Sequence, residues 1–144
     1  MSQKIIDRAV KTIAGKTGGG DEGYCVLSLI DDEGFPTASV LSVSKADGIS
    51  EVTFCTGLDE KKVSRIKACN RASVCFGSIE HNITLVGTIE VVTDPEVKKA
   101  MWYDGLQFMF EGGAEDPNYC VLRFKTKRYN LFFTDDYEHA EGTL

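Results

Sequence analysis

YCVLSLIDDEGFPTASVLSVSKADGISEVTFCTGLDEKK, residues 24–62, reads as three strands, two tight turns and the start of a helix. Apolar and β-branched residues fill Tyr24–Ile30, Pro36–Val43 and Val52–Thr56, the composition of pleated, half-buried backbone. Asp31-Asp32-Glu33-Gly34 and Lys45-Ala46-Asp47-Gly48 separate them with the residue types that turns require. Two hairpins in succession make a meander. The third strand leaves through Thr56-Gly57-Leu58-Asp59 into a short helix expected over Glu60–Cys69, with Asp59 as its N-cap.

Outward from this stretch, strand texture dominates. Ala72–Gly77, Ile83–Val92, Tyr119–Lys125 and Tyr129–Phe133 read as further strands. Helical spacing occurs at Ile5, Ile6, Ala9, Val10 and Ile13, predicting an amphipathic helix over Lys4–Ala14. Thr93-Asp94-Pro95-Glu96 predicts another helix, running to about Tyr103. The expected fold is mainly β (α+β): an antiparallel barrel of six to seven strands, closed or split, with a few short flanking helices. Residues 1–144 read as one domain. Within it, 1–22 form a helix and a flexible Gly-rich loop, and 134–144 an acidic tail expected to be mobile.

Composition narrows the function classes. With 42% hydrophobic and 26% charged residues the chain is globular in type. Its net charge of −6 disfavours nucleic acid and anionic membrane as partners. No apolar run is long enough to span a bilayer, and residues 1–14 lack the continuous apolar stretch of a signal peptide, so a cytoplasmic location is expected. Cys25, Cys55, Cys69, Cys75 and Cys120 form no C-x-x-C pair, and four of them lie in strand-like runs. They read as reduced thiols; only Cys69, between Lys67 and Arg71, has basic neighbours.

Three motifs mislead. Gly15-Lys16-Thr17 imitates the end of a P-loop, but Val10 stands where that pattern needs glycine, and a helix precedes it instead of a strand. Asn82-Ile83-Thr84 fits a glycosylation site that a cytoplasmic chain does not use. His81, His139 and the acids of the tail lack the pattern of a metal centre, and none is expected.

The start of the second helix breaks a local rule. Lys61 and Lys62 stand in its first turn, where cations oppose the helix dipole. A bound anion there would reverse the sign: free backbone N–H groups, the Thr56 hydroxyl, close backbone approach at Gly57 and two ammonium groups would cradle a phosphate. The other reading is a solvated face with Glu60 as local compensation.

Gly34-Phe35-Pro36, Phe54-Cys55-Thr56, Lys61-Lys62, Asn70-Arg71 and the strand through Gly87, in that order, resemble the pyridoxamine 5′-phosphate oxidase-like, FMN-binding split-barrel superfamily. Asp116-Pro117-Asn118-Tyr119-Cys120-Val121-Leu122 resembles the last barrel strand of its general-stress-protein branch. The resemblance covers roughly residues 23–133. It implies FMN at the interface of a homodimer, with the flavin phosphate on Lys61 and Lys62 and Thr56 beside them. It also implies that Ala38, Ser39, Val40, Leu41 and Ser42 run along the isoalloxazine edge, and that Asn82 reaches the flavin. Where the oxidases carry an Arg and a Lys on the strand after Gly-x-Pro, Ser39 and Ser44 stand, which removes one phosphate contact.

The function implied is an FMN-dependent oxidoreductase of a small molecule. The alternatives are a non-catalytic flavin-binding or sensing protein, and a related barrel holding haem or a deazaflavin. Trp102, Tyr103, Phe108 and Phe110 would either wall a substrate pocket or pack a helix onto the barrel or the dimer partner.

Overall fold

A computed structural model describes residues 2–144. Its strands are β1 (Tyr24–Ile30), β2 (Pro36–Asp47), β3 (Glu51–Gly57), β4 (Arg71–Gly77), β5 (His81–Val92), β6 (Tyr119–Phe133) and β7 (Glu138–Thr143). Its helices are α1 (Ser2–Ala14), α2 (Lys61–Ala68) and α3 (Pro95–Met101), with single 3-10 turns at Leu106–Phe108 and Gly113–Glu115. All pairings are antiparallel, in the order β3-β2-β1-β4-β5-β6-β7, and β3 also pairs β6. That last pairing closes six strands into a barrel, and β7 extends the sheet beyond it.

Period-2 patterning explains the barrel core. Cys25, Leu27 and Leu29 of β1 face inward with Ala72, Val74 and Phe76 of β4, and their alternates face out. Phe54, Ile83, Leu85, Leu122 and Phe124 complete the interior. The apolar faces of α1 (Ile5, Ala9, Ile13) and α2 (Val63, Ile66) join the same core. A second, smaller cluster lies outside the barrel, where α3 and the 3-10 turns pack on Cys55, Tyr119 and Val121.

Four expectations change. The two last strands are one, Tyr119–Phe133: its first half pairs β3 and its second half β7, while β5 follows it along its length. A bulge between Val86 and Gly87 absorbs the irregularity, and a Cβ on Gly87 would lie 1.9 Å from the Lys125 carbonyl oxygen, so glycine is required there. The acidic tail folds into β7, and Arg8 of α1 pairs with Asp135, Asp136 and Glu138 across it. The Gly-rich loop is anchored to β2: the amides of Gly18 and Gly19 donate to the Val43 carbonyl, and Val43 N–H donates to Gly23. Finally, α3 ends at Met101, with Asp94 accepting from Glu96 N–H at 2.8 Å as the expected cap.

Candidate functional site

The barrel is split at one seam. β2 pairs with β3 only from Val43 onward, where Val43 lies opposite Phe54. Toward Pro36 the two strands part: β2 continues beside β1, and β3 runs on beside β6 and into α2.

This divergence leaves one edge of β2 unpaired among the described residues between Pro36 and Ser42. Val43 N–H donates toward β1, to Gly23 at 2.8 Å. On an antiparallel ladder its alternates Leu41, Ser39 and Thr37 do likewise, so Ala38, Val40 and Ser42 turn their backbone groups toward the seam. Their side chains and those of Leu41, Ser39 and Thr37 fall on opposite faces. Thr37, Ser39 and Leu41 lie opposite Leu29, Leu27 and Cys25, on the barrel-interior face. Ser39 is nevertheless exposed, and Thr37 and Leu41 are half-buried, because β3 has moved away.

The other wall is the end of β3 and the start of α2. Thr56 is buried on the same face as Phe54. Gly57 makes its close approach to Asp59 and Asn118 and not to an open site: a Cβ there would meet Asp59 Oδ1 at 2.7 Å and Asn118 Nδ2 at 2.8 Å. Asp59 is not the helix cap. Its carboxylate accepts from Asn118 Nδ2 at 3.1 Å, and its N–H donates to Asn118 Oδ1 at 3.2 Å. Glu60 occupies the cap position in extended conformation and makes no side-chain cap bond. The first-turn amides therefore keep no side-chain acceptor, and no acid stands in that turn. Lys61 is exposed, and Lys62 Nζ lies 3.9 Å from Glu60 Oε2, a long and partly solvated pair.

Arg65 stands one turn beyond Lys61. Its Nη1 is 3.4 Å from Thr37 Oγ1, so α2 touches the start of the open strand. Thr37 in turn donates to the Leu29 carbonyl at 3.0 Å. Sequence reading missed Arg65, although its i, i+4 spacing from Lys61 marks a shared helix face.

Of the sequence-predicted groups, Ala38–Ser42 forms the open edge of β2, and Thr56 lies at the end of β3, which leads into α2 with Lys61 and Lys62 in its first turn. Asn82 does not join them within one chain. It lies on the outer face of β5, where its Oδ1 accepts from Cys75 Sγ and Thr84 Oγ1, both at 3.2 Å. Three strand spacings separate β5 from β2, roughly 14 Å. Ser44 is buried and donates to the Met101 carbonyl, which commits it to the end of α3. Of the aromatic group, Phe110 is buried beside Tyr119 and Trp102, with Trp102 edge-on to Tyr119 at 5.2 Å. Only Phe108 is fully outside, at 87% exposed. Tyr103 is half-buried, and burial pushes its phenol up.

The open β2 edge offers backbone hydrogen-bonding groups, and the start of α2 offers uncapped amides and two lysines.

A model of the family described as pyridoxamine 5′-phosphate oxidase matches residues 18–133. Among solved structures, a Clostridium acetobutylicum protein related to general stress protein 26 superposes with a TM-score of 0.84 at 20% identity, covering 100% of this chain and 97% of that one. A pyridoxamine 5′-phosphate oxidase-related, FMN-binding protein of Nostoc punctiforme gives 0.64 at 16% identity, covering 99% and 93%. A haem-binding protein of Mycobacterium smegmatis gives 0.71 at 18% identity, covering 96% of this chain and 57% of that one. No curated protein matches the sequence.

Proposed function

The chain belongs to the pyridoxamine 5′-phosphate oxidase family, and on that premise we propose that it is a flavoprotein that holds FMN in the barrel seam and acts as an oxidoreductase on a small molecule. The observations that carry this reading are the unpaired edge of β2 where it leaves β3, the uncapped, lysine-bearing start of α2 that follows β3, and the Arg65–Thr37 contact that brings α2 to β2. Lys61, Lys62 and the first-turn amides of α2 would hold the phosphate. The backbone edge at Ala38, Val40 and Ser42 would meet the polar rim of the ring. FMN, when bound, supplies the redox chemistry, and the chain supplies binding, orientation and exclusion of water.

FMN suits this cleft better than haem. The chain has two histidines, the commonest axial ligands among globins and peroxidases, and both lie elsewhere. His81 Nδ1 bonds the Phe76 carbonyl at 3.0 Å, and His139 Nε2 bonds Asn130 at 2.9 Å.

The active unit in this reading is a two-fold homodimer. The outer sheet face is a row of small and apolar groups, with Val40 opposite Val26, Val26 opposite Cys75 and Cys75 opposite Thr84. Val40 is 67% exposed and Tyr24 44%. Asn82 lies on this same face, too far from β2 in its own chain, so a second copy packed there would bring its Asn82 to the flavin. The five unpaired thiols suit the reducing cytoplasm, which we propose as its compartment.

A titration of the purified protein with FMN, followed by flavin fluorescence and absorbance, tests the reading. Saturable binding with a perturbed flavin spectrum supports it. Failure to saturate with FMN while haem binds stoichiometrically overturns it. Turnover with a reduced nicotinamide and an electron acceptor then separates an enzyme from a non-catalytic flavin carrier.

A further inference from the structure

The geometry points to Arg65 as a third phosphate-binding residue that selects FMN over riboflavin, oriented for that task by Thr37. This rests on the FMN reading above.

Lys61, Lys62 and Arg65 are spaced i, i+1 and i+4, so they crowd three positive charges onto about one turn of α2. Like charges at such spacing destabilise an isolated helix. No carboxylate lies within ion-pair distance of Lys61 or Arg65 among the described residues, and Lys62 has only the long contact to Glu60. Two arginines elsewhere are closely paired: Arg8 contacts three acids, and Arg123 contacts Glu51 and Glu90. The three cations of α2 thus carry little local compensation.

Arg65 is also aimed. Its guanidinium meets Thr37 Oγ1 at 3.4 Å. That hydroxyl has given its proton to the Leu29 carbonyl, so it acts toward Arg65 as acceptor. Thr37 lies on a strand that β1 holds in register, and it anchors one edge of the guanidinium fork. The remaining N–H donors of Arg65 are free for a bidentate grip on phosphate oxygens. Thr37 and Ser39 share one face of β2, and Ser39 brings no charge to it. Arg65 reaches that face from the helix, so the seam gains a cation there which β2 does not carry itself.

The experiment compares dissociation constants for FMN and riboflavin in the intact protein and in Arg65→Gln, Arg65→Lys, Thr37→Val and Lys62→Ala. Arg65→Gln is expected to weaken FMN about ten- to a hundredfold and leave riboflavin unchanged. Arg65→Lys and Thr37→Val should fall between, the first keeping charge without the fork and the second keeping the fork without its anchor. Melting temperature in the absence of flavin controls for folding. Should Arg65→Gln lose structure, the selectivity ratio of Arg65→Lys and Thr37→Val carries the test. If Lys62→Ala weakens FMN while the Arg65 and Thr37 variants match the parent for both flavins, the inference is overturned and the FMN reading stands. If the parent binds neither flavin, both fall together.

Discussion

Arg8 Nη2 lies 2.6 Å from Asp135 Oδ2, tying the first helix to the turn before the last strand. The same guanidinium meets Asp136 at 3.1 Å and Glu138 at 2.8 Å, and sits 4.1 Å from the centre of the Phe133 ring. The apolar face of α1 (Ile5, Ala9, Ile13) is buried in the core, and this clamp adds to that docking. Arg8→Met should lower the melting temperature modestly, by an amount that shrinks at high salt. The Arg8 guanidinium holds the Asp135 carboxyl below the usual carboxylate range. A lowered carboxyl pKa contributes stability above its ordinary value and loses it as pH falls through the lowered one. The gap between parent and Arg8→Met is therefore expected at neutral pH and should begin to narrow as acidification passes the ordinary carboxylate value near about pH 4. A gap that does not narrow at all as the solution is acidified would assign the effect to the Phe133 contact instead.

Gly87 is the least replaceable glycine of the barrel. Gly87→Ala drives a methyl against the Lys125 carbonyl at the bulge that lets β5 follow β6. A loss of about 1–3 kcal/mol in denaturant unfolding is expected. Gly77→Ala, whose nearest contact is the Cys75 sulfur at 3.5 Å, should be close to neutral.

Lys61→Ala and Lys62→Ala should each weaken FMN by roughly 1.5–3 kcal/mol, or about ten- to a hundredfold in Kd. Riboflavin, which lacks the phosphate, should bind the variants as it binds the parent. Lys4→Ala, on α1, should change neither. Equal losses for both flavins would return the lysines to the role of a solvated face.

The thiols should separate by environment in a labelling time course at pH 7. Burial pushes Cys25 up to about 12 and Cys120 up to about 11, and it also raises Cys55. Cys69 is lowered instead, by the Arg71 N–H first and the Arg71 side chain second. Cys69 should react first, and Cys25, Cys55 and Cys120 only on unfolding. Fast labelling of Cys120 in the native protein would contradict its place in β6.

Val40→Lys tests the dimer. Val40 projects from the outer face at 67% exposure, so a charge there costs the folded chain little. Placed twice across a two-fold axis it opposes association. Light scattering should shift from dimer toward monomer, and FMN affinity should fall with it if a second copy completes the site. A monomeric parent at micromolar concentration with FMN present would sink the dimer reading.

Much of the fold was legible because it rests on local pattern. Alternation in Tyr24–Ile30 and Ala72–Gly77 marks which side chains turn inward, and Asp94-Pro95 marks a helix start, since each signal lies within a few residues. Glu138–Thr143 was not legible as a strand. Ala140 is its only buried residue, and its conformation comes from hydrogen bonding to β6. Thr126 to Arg128 read as a break for a related reason: the residues are polar, but β5 and the Ile49 carbonyl, which accepts from Thr126 Oγ1 at 2.6 Å, hold them in the strand.

The candidate site divides the same way. The sequence by itself determined that Lys61 and Lys62 open a helix against its dipole, because charge and helix position are both local. Only the tertiary structure decided that their helix touches, through Arg65 and Thr37, a strand with an unpaired edge. That edge exists because β2 and β3 stop pairing beyond Val43 and Phe54, and ladder pairing is a relation between distant segments that neither records alone. It also decided that Asn118, 59 positions along the chain, takes the carboxylate of Asp59 and leaves the helix uncapped. A side chain with two competing partners goes to the one the fold brings near, and that choice leaves the two lysines at a helix start that no side chain caps.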